Sequence, residues 1–216
     1  MAETPAHAAR PSLPLIGVLI SGRGSNLQAI LRAIADGRLA ARVGLVISNR
    51  PEAGGLAHAQ AAGVPTTVIE HRAYASRADF EHALVAALRA AAVDLVCLAG
   101  FMRILSPVFL AEAPGPVLNV HPSLLPAFPG VDAQGQAWSH GVKVAGATVH
   151  LVTPELDAGP IVAQATVPVL DDDTPDTLAA RILVEEHRIY PEAIARVLTR
   201  GWRLDGRRFV REATSG

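Results

Sequence analysis

The chain of 216 residues is 50% hydrophobic and 18% charged, with a formal net charge of −1 and one cysteine. That length fits one domain with a sizeable core, and the near-neutral balance supplies neither a basic surplus for nucleic acid nor a block of like charge for a membrane surface. A lone cysteine excludes an internal disulfide and fits a reducing, cytoplasmic setting, and no apolar stretch approaches the about 18 residues of a membrane-crossing helix.

Residues 1–14 are rich in Ala and Pro without a hydrophobic centre and read as a disordered tail, which leaves 15–216 as a single domain. Leu15 to Ile20 is a short apolar run, the first expected strand. Ser21-Gly22-Arg23-Gly24-Ser25-Asn26 follows, and Leu27 to Ile34 then has helical spacing of apolar residues. This strand, Gly-rich turn, helix sequence is either a tight turn with Ser25 or Asn26 as N-cap, or an anion cradle at a helix N-terminus. It is neither a GxGxxG fingerprint nor a Walker loop. Val43 to Ser48 is a second strand, Leu56 to Ala62 a short helix stopped by Gly63 and Pro65, and Thr66 to Ile69 a third strand.

Ser76 to Val93 reads as a long helix, capped by Ser76 with Asp79 as its capping-box partner. Arg77 lies in its first turn, where a cation gains nothing from the helix dipole. It is either a solvated arginine or one held for an anionic partner. Asp94 to Ala99 is the fourth strand and contains Cys97, which reads as a small core hydrophobe. Gly100 to Pro107 is unusually apolar for a loop: either a core connector, or the wall of a pocket for a flat ligand.

Pro116 to His121 is a fifth strand whose apolar character is interrupted by Asn119 and His121. Two residues apart, their side chains share one face. Pro122 and Pro126 then force an irregular exit. A neutral amide donor and an imidazole aimed at one spot can hold an oxyanion and move a proton; a strand-end His bonded to a loop carbonyl is the plainer alternative. The alternation of elements predicts an α/β fold with a doubly wound, mainly parallel sheet in the order 3-2-1-4-5. The crevice outside strands one and four would then be bounded by Gly22–Asn26, Gly100–Leu105 and Asn119/His121.

Val131 to His140 reads as a short helix, and Val144–Val152 and Ile161–Val169 as antiparallel C-terminal strands added to the sheet. Between them, Asp157 is either a turn former or the carboxylate that orients a histidine. Asp171-Asp172-Asp173 reads as an exposed turn. Thr174-Pro175 opens the last helix, which Pro191 kinks or restarts before Leu198; Glu186 on it is either solvated or a contact for hydroxyls or an amine. Trp202 to Val210, with Asp205-Gly206 between apolar-polar runs, signals a hairpin. No motif for a metal site is present.

Five segments closely resemble the phosphoribosylglycinamide formyltransferase family: Ser21-Gly22-Arg23-Gly24-Ser25-Asn26, Ala99 to Pro107, Asn119-Val120-His121-Pro122-Ser123-Leu124-Leu125-Pro126, Glu155 to Pro160, and Glu186 to Pro191. They occur in one order across residues 15 to 200. The resemblance implies a Rossmann-like formyltransferase fold and formyl transfer from 10-formyltetrahydrofolate to the amine of 5'-phosphoribosylglycinamide in purine biosynthesis. It implies Asn119, His121 and Asp157 as the catalytic trio, with no metal. It further implies Gly24, Ser25 and Asn26 on the substrate phosphate, and Glu186 on its ribose or glycinamide end. Arg77, Met102, Arg103, Ile104, Leu105 and Asn119 would serve the folate. The expected partners are those two small molecules, with no nucleic acid or membrane, in a monomer or homodimer.

Relatives share the Asn-x-His-Pro-Ser-Leu-Leu-Pro core. Methionyl-tRNA formyltransferase carries an added C-terminal domain and formyltetrahydrofolate deformylase an added N-terminal one, for which this chain shows no room. The deformylase, which would release formate, is the nearer alternative. A nicotinamide-dependent dehydrogenase would need the third Gly missing after Gly22-x-Gly24, and a non-catalytic nucleotide-binding module would not need Asn119, His121 and Asp157 together.

Overall fold

A computed structural model describes residues 13–199 and 201–211. The expected tail over 1–14 therefore lies outside the described residues apart from Leu13 and Pro14, which lead into the first strand without regular structure.

The elements in order are β1 (Leu15–Ile20), α1 (Ser25–Ala35), β2 (Arg42–Ser48), α2 (Gly55–Ala61), β3 (Thr66–Val68), α3 (Arg77–Ala90), β4 (Leu95–Leu98), α4 (Pro107–Glu112), β5 (Val117–His121), α5 (Ala133–Ser139), β6 (Val144–Leu151), β7 (Ile161–Pro168), α6 (Pro175–Leu198), β8 (Trp202–Asp205) and β9 (Arg208–Arg211). The nine described strands form one sheet, ordered β3-β2-β1-β4-β5-β6-β7-β9-β8. The first five are parallel, in the expected order. β6 and β7 are antiparallel additions, and β9 then pairs parallel to β7 through one register position and carries β8 on its outer edge. The hairpin thus extends the sheet, a long-range pairing that local pattern does not encode.

The central strands are apolar on both faces because helices cover both, as parallel sheets require. Ile16, Val18 and Ile20 of β1 pack with Leu27 and Ile30 of α1 and with Ile182, Tyr190 and Ile194 of α6. Leu19, between them, packs on the opposite face with Phe80, Leu84 and Leu88 of α3 and Phe109 of α4. The period-2 alternation of one strand therefore feeds two separate cores.

Three local readings change. The N-cap of α1 is Gly24, at φ 76°, with no side-chain cap; Ser25 and Asn26 are already helical. Pro191 does not restart the last helix, since α6 runs unbroken from Pro175 to Leu198. Ile182, Ile189 and Tyr190 before the proline and Ala193 and Ile194 after it are all buried, and this packing outweighs one missing N–H. Asp173 is buried rather than exposed: Arg181 grips its carboxylate with two donors at 2.6 and 2.8 Å and holds it well below the usual carboxylate range. Ser76 does cap α3, accepting from the Asp79 N–H while its hydroxyl donates to the Asp79 carboxylate.

Candidate active site

The carboxyl ends of β1, β4 and β5 lie side by side, so their exit loops crowd one edge of the sheet. After β1 comes the Gly-rich turn. A Cβ added to Gly24 would sit 2.5 Å from the Cα of Gly55 at the start of α2, and the backbone there has φ +76°. Both facts reserve the position for glycine. The Gly55 N–H donates to the Gly22 carbonyl at 3.0 Å, tying turn to helix.

Asn26, buried in the first turn of α1, donates through Nδ2 to Glu186 Oε2 of α6 at 2.7 Å. Its Oδ1 is buried with no partner among the described residues. Glu186 is buried too, not solvated, and burial pushes its carboxyl pKa up against the pull of the Asn26 hydrogen bond.

The apolar loop after β4 is pinned rather than loose. Buried Ser21 at the end of β1 donates to Asn49 Oδ1 at 2.6 Å and accepts the Met102 N–H at 2.8 Å. Met102 and Ile104 are 72% and 64% exposed, whereas Leu105 is buried. Unpartnered apolar side chains beside a polar turn make a surface fit for a flat ring. Arg103 lines a cavity of about 420 Å³ with Asn49, Arg50 and Arg72. Arg77 is not simply solvated: it pairs with Glu81 and donates to the Ile104 carbonyl.

At β5 the register places Asn119 opposite His150 and His121 opposite Thr148 on β6, so these four side chains share one face. The loop after β6 folds back over that face and brings Asp157 to it. Asp157 Oδ2 is 3.5 Å from His121 Nδ1 and Oδ1 is 3.8 Å from His150 Nε2. Its backbone is left-handed, at φ 49°, a conformation Asp tolerates at a cost of about 1 kcal/mol, and its carboxylate accepts the Gly130 N–H at 2.8 Å. Asp157 also borders a cavity of about 730 Å³ between Pro126, Gln164 and Phe209.

Partner chemistry assigns the protons. The Phe128 carbonyl, 2.9 Å from His121 Nε2, can only accept, so Nε2 carries hydrogen and Nδ1 faces the carboxylate. A hydrogen on Nδ1 would point at Asp157 Oδ2. His150 differs. Its Nδ1 donates to the Leu151 carbonyl at 3.1 Å, and its Nε2 accepts from Asn119 Nδ2 at 3.3 Å. Burial pushes its pKa down, so it stays neutral and fixes the Asn119 amide with one N–H to spare.

His150 is the residue that sequence reasoning missed. Its signal was present: a lone titratable residue in the apolar run Val144–Val152, two positions from Thr148. Thr148 donates to the Ser123 carbonyl at 2.6 Å and accepts from the Leu125 N–H and from Gln164 Nε2, bracing the Pro-rich exit of β5. Among the described residues no group of three or more His, Cys, Asp or Glu side chains is placed to hold a metal ion.

An amide, an imidazole and a carboxylate thus converge at a sheet edge next to a Gly-rich turn, and residues 15–194 match the formyl transferase family in sequence. The chain belongs to the formyl transferase family. This formyl transferase is 45% identical to the phosphoribosylglycinamide formyltransferase of Escherichia coli, over 89% of its own length and 88% of that protein. It superposes on the crystal structure of glycinamide ribonucleotide transformylase 1 from Symbiobacterium toebii with TM-score 0.91 and 53% identity, over 94% of its own length and 96% of the other chain. It is also 47% identical to the human trifunctional purine biosynthetic protein adenosine-3 over 83% of its own length, while spanning only 18% of that larger protein. The mixed sheet with antiparallel C-terminal strands is shared with the solved transformylase.

Proposed function

We propose that this formyl transferase moves the formyl group of 10-formyltetrahydrofolate to the amine of 5'-phosphoribosylglycinamide, a step of purine biosynthesis, as its relatives' names indicate. The observation that carries the reading is the meeting of Asn119, His121 and Asp157 on one face of the β5–β6 pair.

The neutral amine attacks the formyl carbon, forming a C–N bond and leaving a negative oxygen and a positive nitrogen on a tetrahedral centre. The free N–H of Asn119 and a His121 N–H released from the Phe128 carbonyl hold that oxygen. Asp157 orients His121 and relays the surplus amine proton, directly or through one water, to N10 of the folate. The C–N10 bond then breaks and the oxygen returns to a carbonyl. Gly24, Ser25 and Asn26 cradle the phosphate with backbone N–H groups at the start of α1, an eleven-residue helix. Glu186, already bonded to Asn26, takes the ribose or glycinamide end. Met102, Arg103, Ile104, Leu105 and Arg77 receive the folate. In this reading residues 15–216 act as a single domain in the cytoplasm, as monomer or homodimer, without nucleic acid or membrane.

The test follows formyl transfer to glycinamide ribonucleotide and formate release in parallel. Transfer with little formate is expected. Formate without transfer would make the chain a deformylase and end this reading.

A further inference from the structure

Glu81 takes no part in the chemistry above, yet it is a carboxylate with a side chain only 3% exposed. A buried charge persists only where partners satisfy it. Glu81 Oε1 accepts from Arg77 Nε and from the Ser106 N–H, both at 2.9 Å, and Oε2 accepts from the Ser106 hydroxyl. Arg77 in turn donates through Nη2 to the Ile104 carbonyl at 2.6 Å. One carboxylate on α3 therefore holds both the guanidinium and the far end of the Met102–Leu105 loop.

Arg77 carries five N–H donors. Two are spent on Glu81 and Ile104, and the other three lie on a half-exposed side chain beside that loop. A free arginine would sample many rotamers and lose that freedom on binding an anion. With Nε and one Nη2 hydrogen committed, its orientation is set before any ligand arrives. The committed face is the inner one, towards Glu81; the remaining fork is what an incoming carboxylate can engage.

We propose that Glu81 is a positioning residue for the formyl donor: through Arg77 and Ser106 it pre-orients a guanidinium to select the anionic glutamate end of the folate over a donor that lacks it. The inference rests on the folate-site reading of Arg77 and the Met102–Leu105 loop. It adds a residue that never touches the ligand and a specificity that depends on it.

Glu81→Gln leaves shape nearly unchanged but removes the negative charge that pairs with the Arg77 guanidinium. Glu81→Asp keeps the charge and withdraws it by one methylene, out of joint reach of Arg77 and Ser106. KM is measured for 10-formyltetrahydrofolate and for 10-formyltetrahydropteroyl methylamide, the same donor with its glutamate replaced by a neutral amide cap, at saturating glycinamide ribonucleotide. In the wild type the glutamate-bearing donor is expected to have the lower KM by about tenfold, the worth of one charge-assisted contact. Both Glu81 variants, and Arg77→Ala, should bring that ratio close to one, with KM for glycinamide ribonucleotide within about twofold of wild type. Arg77→Ala combined with Glu81→Gln should be no worse than Arg77→Ala alone, because both act through one fork. A wild-type ratio in Glu81→Gln and Glu81→Asp, or additive losses in the double variant, overturns the positioning role while leaving the folate site in place. A wild-type ratio in Arg77→Ala overturns the folate-site reading of Arg77, and the role of Glu81 with it. Should Glu81→Gln fail to fold, Glu81→Asp decides alone.

Discussion

Two histidines share one carboxylate, and their surroundings separate their roles. His121 presents Nδ1 to Asp157 at 3.5 Å; His150 is buried with its Nδ1 hydrogen committed to the Leu151 carbonyl, and burial resists charge on its ring. Asp157→Asn keeps shape and removes the charge beside His121 Nδ1 that relays the proton. It should bind both ligands within a few-fold of wild type yet lose about 10² or more in kcat, as expected of an interaction made mainly in the transition state. A raised KM with unchanged kcat would make Asp157 a binding or turn residue. His150 leaves a mark on stability. Its pKa lies below the ordinary 6.5, so below that pH the unfolded chain binds a proton that the native state refuses. Its contribution is greatest above about pH 6.5 and falls as pH drops towards the folded value. Glu186, raised from 4.5, acts oppositely, losing stability as pH rises through its folded value. Urea unfolding of wild type and His150→Gln between pH 5 and 8 separates the two. The stability gap should move against the wild type as pH falls, and parallel profiles would refute the assignment. The pairing of Asn119 with His121 was legible from strand period alone. The arrival of His150 was not, because register across β5–β6 depends on a return loop with no short-range signature.

Turns and helices show how far local chemistry reaches. The turn after β1 was legible as glycine-rich and helix-opening, but of its two readings the one with a side-chain cap from Ser25 or Asn26 fails, because a left-handed glycine stands at the N-cap. The reason is tertiary: Gly24 abuts Gly55 of α2, and no N-cap side chain fits between them. Gly24→Val should therefore weaken binding of glycinamide ribonucleotide by at least about tenfold, since it distorts the N–H cradle, while folate affinity changes little. Calorimetric titration with each ligand checks this, and an equal loss for both would show that the turn is only structural. In α6, Thr174 caps the start with a reciprocal bond to Thr177 and Pro175 opens the first turn, as local rules anticipate. Pro191 breaks the rule, because a helix buried on both sides of a proline is held by its neighbours.

At the scale of the whole molecule, α6 joins the two halves of the sheet. Tyr190, fully buried, directs its hydroxyl to the carbonyls of Leu98 and Leu118 at 3.0 and 3.2 Å, bridging β4 and β5 beneath the site. It also lies against Cys97, whose thiol is pushed up to about 12 by burial and so stays inert. Tyr190→Phe should cost about 1–2 kcal/mol in chemical denaturation, the price of a buried carbonyl pair losing its donor, with KM for both ligands unchanged. A loss in kcat larger than about tenfold without loss of stability would instead place Tyr190 in the chemistry.

The sequence by itself determined the strand and helix order, the parallel core in the order β3-β2-β1-β4-β5, and the shared face of Asn119 and His121. Each of these rests on short-range rules: period, sterics and right-handed crossover. Tertiary structure alone decided that Asp157 rather than another loop carboxylate reaches His121, that Glu186 is buried against Asn26, that His150 is neutral, and that Arg77 is held by Glu81. Those outcomes depend on distance across the chain and on desolvation, and neither is encoded in the few residues around any one position.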